Sequence, residues 1–178
     1  MTGIIASMEI KLACGQAAPD FSLPDLFGVT HQISDFRRRI ALLNFWSAEC
    51  PWSARVDSEL STQLNEWGEQ IRLIPIASNA NEPVDLLRHV ARERVLPLLL
   101  HDQHQIVADL YGAKTTPHFF VIDQQGILRY QGSYNDISFR QRVPTRHYLV
   151  EAIEALLAGR LPDPEQTAPY GCTIVRFA

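Results

Sequence analysis

The stretch Ile40-Ala41-Leu42-Leu43-Asn44-Phe45-Trp46-Ser47-Ala48-Glu49-Cys50-Pro51-Trp52-Ser53 joins an apolar run to a segment with helical spacing. Residues 40–46 are apolar apart from Asn44, the pattern of a strand buried on both faces. Beyond them Val56, Leu60, Leu64 and Trp67 recur at helical intervals, which predicts a helix over about 53–67. Cys50 therefore falls at a strand-to-helix junction. There the first unpaired N–H groups of the helix and its dipole stabilise a thiolate, the reactive form of cysteine. Three residues on, where a dithiol motif has its second cysteine, stands Ser53.

Outward from this junction the chain alternates. Asp25-Leu26-Phe27-Gly28 reads as a hairpin turn within residues 19–33. Ile71-Arg72-Leu73-Ile74-Pro75-Ile76-Ala77 reads as a buried strand, with Pro75 weighing against a central position. Pro83 suits a first helical position, for a helix running to about Arg94. Residues 96–100 suggest a short strand, and 103–111 a short helix closed by Gly112. Phe119–Asp123 and Ile127–Gln131, joined through Gln124-Gln125-Gly126, predict a hairpin. A last helix spans about 145–158, before Gly159 and a proline-punctuated tail. Strand, helix, strand, then helix, hairpin and helix imply an α/β sandwich with a mixed sheet between helices. The expected organisation is an N-terminal extension over 1–16, one domain over 17–160 and a tail over 161–178 that carries Cys172.

Composition narrows the function classes. The net charge of -4 and the lack of a basic run interleaved with aromatics argue against nucleic acid. No apolar run approaches the roughly 20 residues that span a bilayer. The first residues lack a basic start and carry Glu9 and Lys11, a poor export signal that also argues against lipidation at Leu12-Ala13-Cys14. A cytoplasmic location without membrane attachment is the expectation. Cys14, Cys50 and Cys172 are too few and scattered for a disulfide scaffold, and no Cys or His spacing suggests a metal site.

Ala18-Pro19-Asp20-Phe21, Asn44-Phe45-Trp46-Ser47, Cys50-Pro51, Thr116-Pro117 and Phe120-Val121-Ile122-Asp123 occur in an order that resembles the thioredoxin superfamily. Within it, the similarity is to the redoxin branch of alkyl hydroperoxide reductase/thiol-specific antioxidant proteins and thioredoxin-like thiol-disulfide reductases. The resemblance covers about residues 17–160 and implies a thioredoxin-like three-layer sandwich with an N-terminal hairpin and no cofactor. It makes Cys50 the nucleophile, with Trp52, Thr116 and Pro117 facing the substrate and Thr116–Pro117 a cis bond. Trp46 is either a second flank of the site or core. Tyr170-Gly171-Cys172 resembles the ending of a redoxin group with a Gly-Cys near its end.

Ser53 alters the expected chemistry. A serine cannot release substrate from a mixed disulfide as a second thiolate does, although its hydroxyl can hydrogen-bond the Cys50 thiolate. Resolution then needs another thiol. Cys172 on a flexible tail comes first, Cys14 second and a small thiol such as glutathione third, with a tail cysteine of no role as the alternative for Cys172. Glu82 reads first as an acid at the start of a helix; reductases of this branch carry a proton-managing acid nearby. Glu49 beside Cys50 opposes thiolate formation if close, and Arg55 offsets it. His118 either modulates the site or simply starts a strand.

The leading expectation is a thiol-disulfide oxidoreductase acting through Cys50, with a protein or small-molecule disulfide as substrate and an external thiol reductant. The second is a thiol peroxidase. Peroxiredoxins resemble Pro-x-x-x-Thr/Ser-x-x-Cys, and Ser47 fits the hydroxyl position, but Leu43 replaces the proline and Pro117 stands near the expected arginine. The third is a redoxin scaffold that binds a partner without turnover.

Overall fold

Ile40–Trp46 forms a strand buried along its whole length in the computed structural model, which describes residues 12–177. The poor export signal lies in residues 1–11, outside the described residues. In chain order the elements are β1 (Ser22–Pro24), β2 (Thr30–Gln32), β3 (Ile40–Trp46), α1 (Pro51–Trp67), β4 (Ile71–Ala77), α2 (Val84–Glu93) and β5 (Leu100–His101). There follow α3 (Ile106–Tyr111), β6 (Thr115–Thr116), β7 (His118–Ile122), β8 (Leu128–Gly132), α4 (Tyr148–Leu157) and β9 (Cys172–Thr173). Five strands make the central sheet in the order β5-β4-β3-β7-β8. β3 runs parallel to β4 and antiparallel to β7, so the sheet is mixed.

Alternation along β3 builds the two sides of the core. Leu42 packs with Val56 and Leu60 of α1 and with Leu149 and Ile153 of α4. Leu43 and Phe45 face the other way, onto Val107, Ala108 and Tyr111 of α3 and onto Phe21 and Leu23 of the β1–β2 hairpin. This is the thioredoxin-like sandwich with its N-terminal hairpin. Trp46, at the end of β3, packs on Leu87 and Ala91 of α2. Its Nε1–H donates to Asp57 Oδ2 at 2.8 Å, and the Arg94 guanidinium lies 5.2 Å from its ring centroid. Trp46 is thus core, and fixes α1 to the end of β3.

Several boundaries moved from those expected, for local reasons. α1 starts at Pro51 with Cys50 as its N-cap, because proline needs no N–H partner in a first turn. Pro75 sits inside β4, yet β5 reaches only Ile76 and Ala77, so no ladder runs along the outer side of β4 at Pro75. α3 begins at Ile106 because Gln105 takes a left-handed conformation and the Asp102 carboxylate accepts the Val107 and Ala108 N–H groups at 3.2 and 2.8 Å. No helix among the described residues is long and apolar enough to cross a membrane.

The largest departure is the tail. Its composition suggests a flexible segment, whereas the structure docks it from Glu165 to Phe177. Gln131 N–H donates to Glu165 O at 3.1 Å and Thr167 N–H to Gln131 O at 3.0 Å, which lays the tail along β8. β9 then pairs antiparallel with β6, Thr115 opposite Thr173 and Thr116 opposite Cys172. Ile174 is buried in the core with its N–H donating to Lys114 O at 3.1 Å. Val175 is held by Asn79 Oδ1, by the Ala80 N–H and by Gln105 Nε2. Burying an isoleucine contributes about 1.5–3 kcal/mol, enough to hold a short strand that pairing alone would leave loose.

Candidate active site

The end of β3, the first turn of α1, the β6–β7 connection and β9 converge on Cys50. As N-cap of α1 it has extended backbone angles (φ -79, ψ 120), and Ala54 N–H donates to its carbonyl at 3.1 Å. Its N–H donates to Ser47 Oγ at 3.1 Å. Ser47 Oγ in turn donates to Glu82 Oε1 at 2.6 Å, and the same carboxylate oxygen accepts the Glu49 N–H at 3.0 Å. The loop that presents the thiol is thus tied to a buried carboxylate from the β4–α2 loop. Glu82 Oε2 is buried with no hydrogen-bond partner among the described residues. Glu82 does not cap α2, whose N-cap is Pro83.

Cys50 is only 2% exposed. Its Sγ lies 2.9 Å from Thr116 O and 2.7 Å from Cys172 Sγ, both cysteines being free thiols. The Thr116–Pro117 peptide is cis, as the resemblance implies. Burial acts first on Cys50 and pushes its thiol up. The Cys172 thiol, the backbone N–H groups of Ser53 and Cys172 and the Thr116 side chain outweigh it, and hold Cys50 below its ordinary value. On Cys172, burial and then the hydrogen bond and charge of Cys50 push the thiol up to about 12. The pair is therefore polarised: Cys50 is the thiol that ionises first, and Cys172 the one that keeps its proton longer.

The other candidates are placed as follows. Ser53 is fully buried, and its Oγ accepts the Ser47 N–H at 3.4 Å; its backbone N–H, not its hydroxyl, is what acts on the Cys50 sulfur. Trp52 stacks edge-on to Tyr170 at 5.0 Å between centroids, and Tyr170 stacks edge-on to Phe139 at 5.6 Å. Trp52, Pro117 and Tyr170 line one small cavity. Arg55 is turned to Glu59 at 2.8 Å, and the exposed Glu49 carboxylate accepts from Asn81 at 3.3 Å. His118 starts β7 with Nδ1 accepting the Lys114 N–H at 3.3 Å; burial, then the Lys114 charge, push it down to about 3, so it is neutral.

The structure does not bring Cys14 to Cys50. Its Sγ donates to Glu165 O at 3.2 Å, beside β8 and two strands away from β3 in the sheet order. Tyr170 and Gly171 carry no sequence signal for the places their geometry gives them. Glu82 carries one, its position in the loop after the second parallel strand, where the resemblance puts a proton-managing acid as the second reading of that residue. Among the described residues no group of three His, Cys, Asp or Glu side chains is placed to hold a metal ion.

Comparison with known proteins points the same way. Thiol-disulfide oxidoreductase ResA of Geobacillus thermodenitrificans is 32% identical over 123 residues, 66% of this chain and 68% of that protein. Thioredoxin-like protein YneN of Bacillus subtilis is 26% identical over 124 residues, 68% of this chain and 72% of that one. The crystal structure of the hypothetical protein SMc02350 of Sinorhizobium meliloti 1021 has a TM-score of 0.84 at 27% identity, covering 94% of this chain and 96% of that chain. A sequence model of the AhpC/TSA family matches residues 14–131, a span that includes β3, Cys50, β6, β7 and all but the last residue of β8 but stops short of α4 and the tail. Over that span, and with the sandwich that carries it, the chain belongs to the AhpC/TSA family of the thioredoxin-like superfamily and is a thiol-based oxidoreductase.

Proposed function

We propose that the protein is a thiol-disulfide oxidoreductase that works through Cys50 by way of a mixed disulfide and uses Cys172 to resolve it. The observation that carries this reading is the 2.7 Å separation of the two sulfurs, with Thr116 O 2.9 Å from the nucleophile. The Cys50 thiolate attacks one sulfur of a disulfide R–S–S–R, forms Cys50–S–S–R and expels RS⁻, which takes up a proton. Cys172 then loses its proton and attacks Cys50 Sγ, expelling the second RS⁻ and leaving a Cys50–Cys172 disulfide. Two electrons pass to the substrate, and two equivalents of an external thiol restore the pair.

The electrostatics set the order of these steps. Before substrate arrives, the hydrogen bond and charge of Cys50 help to keep the proton on Cys172. The mixed disulfide removes that charge, so Cys172 ionises more readily once there is something to resolve. Glu82, tied through Ser47 to the Cys50 loop, is the buried acid best placed to serve this proton traffic.

A peroxidase reading draws on the family match and on Ser47, whose hydroxyl meets the Cys50 N–H. Leu43 and Pro117, in place of the proline and arginine of that chemistry, weigh against it. The deciding experiment oxidises the reduced chain with a disulfide or with hydrogen peroxide and maps the products by mass. Faster formation of a Cys50–Cys172 peptide pair with the disulfide is expected. A Cys50 sulfenic acid formed faster by peroxide would favour the peroxidase, and Cys50 oxidised without Cys172 would remove Cys172 as resolver.

A further inference from the structure

An unpaired strand edge beside a nucleophile is where an extended peptide adds as one more strand, its main-chain hydrogen bonds supplying affinity. β6 is such an edge: Thr116 O faces Cys50 Sγ at 2.9 Å. It is not open. β9 lies antiparallel on it, with Thr116 opposite Cys172. The approach is close enough to dictate one residue. A Cβ on Gly171 would fall 2.2 Å from Thr116 O and 2.7 Å from Thr116 C, and Gly171 lies outside the left-handed region, so the close approach is the reason for glycine there.

Both flanks of this segment are anchored. Tyr170 is stacked between Trp52 and Phe139, and Ile174 is 3% exposed in the core. The two kinds of substrate therefore face different obstacles. A small disulfide needs less of β9 to move, since what lies against Cys50 Sγ from that strand is the Cys172 side chain, at 2.7 Å. An extended polypeptide reaches it only if β9 leaves β6, which also frees the Tyr170 and Ile174 contacts.

We propose that Tyr170-Gly171-Cys172-Thr173 fills the strand edge an extended polypeptide would use, that Cys50 consequently acts on low-molecular-mass disulfides, and that Gly171 maintains this selection. The inference rests on the reading of Cys50 as the nucleophile of disulfide exchange. In the step concerned, the Cys50 thiolate forms a bond to one sulfur of the substrate disulfide while that S–S bond breaks and the other sulfur departs as thiolate.

The test uses the full chain with Cys14→Ser and Cys172→Ser, so that only Cys50 reacts while the tail remains. Two probes are compared: the thionitrobenzoate mixed disulfides of glutathione and of an extended decapeptide with a central cysteine. Each rate of thionitrobenzoate release is divided by the rate with a free small thiol. The decapeptide is expected to react about tenfold or more slowly, and adding Gly171→Ala to narrow the ratio to about threefold by raising the decapeptide rate. Equal normalised rates for the two probes before Gly171 is changed overturn the inference, whether or not the alanine variant folds. An unchanged ratio in a folded Gly171→Ala chain overturns the role given to Gly171. If neither probe reacts, or if Cys50→Ser releases thionitrobenzoate just as fast, the reading of Cys50 as nucleophile fails instead.

Discussion

Cys14 and Cys172 begin as equivalents: each is a half-buried thiol near one end of the chain. Pairing makes them different. The N-terminal segment attaches to the outer side of the sheet, where Gly15 N–H donates to Leu128 O and Cys14 Sγ to Glu165 O. There burial, then the Glu165 charge, push the Cys14 thiol up to about 11 with no second sulfur to act on. The C-terminal segment instead adds to β6 and delivers Cys172 to within 2.7 Å of Cys50. The raised pKa has partly different causes at the two places. At Cys14 the charge that adds to burial is Glu165; at Cys172 it is Cys50 itself. What a terminal cysteine does is decided by the strand edge its segment joins.

The sharpest way to break this contrast is to remove each thiol in turn. Cys172→Ser is expected to stall turnover at the mixed disulfide and lower steady-state disulfide reduction by about 10²-fold, while Cys14→Ser changes it less than about twofold. Equal effects in the same assay would erase the distinction. Next in size is the anchor of β9. Ile174→Ala should destabilise the chain by about 2–5 kcal/mol in denaturant titration and slow formation of the Cys50–Cys172 disulfide. A normal rate of disulfide formation in that variant would mean that docking of Ile174 does not position Cys172.

A smaller effect sharpens the electrostatic side. The Cys50 thiolate is held below its ordinary pKa in part by the Cys172 thiol, so thiolate absorbance should rise with pH earlier than for a free cysteine. In Cys172→Ala the donor is gone and that rise should move to higher pH; in Cys14→Ala it should stay where it is. A separate expected change is in stability at acid pH. His118 has its folded pKa pushed down to about 3, so below its unfolded value of about 6.5 the unfolded chain binds a proton that the folded chain refuses. Stability therefore falls as pH drops through that window. His118→Phe should flatten this part of a pH–stability profile.

Much of the fold was legible because its signals are local. The apolar run over Ile40–Trp46, the spacing of Val56, Leu60 and Trp67, and the turn before Gly126 each describe their own element, and each element appears. Pro75 weighs against full pairing on both sides, and it stands where β4 lacks an outer partner because β5 is only two residues long. The site was half legible. Cys50 and Pro51 declare a helix start in their own sequence. The tie from Glu82 to the Cys50 loop spans 35 residues between Glu82 and Ser47, and reading Glu82 as a helix-start acid missed it.

Cys50 at a strand-to-helix junction, and Ser53 in place of a second thiol, follow from the sequence alone because covalent order puts those residues in one turn. Where the second thiol comes from does not. Cys14 and Cys172 lie 36 and 122 residues from Cys50, and the nearer one in sequence is held away on the far side of β8. Only the tertiary structure brings Cys172 to Cys50. It does so because the tail buries Ile174 in the core and, with glycine at 171, lies close enough on Thr116 to pair with it.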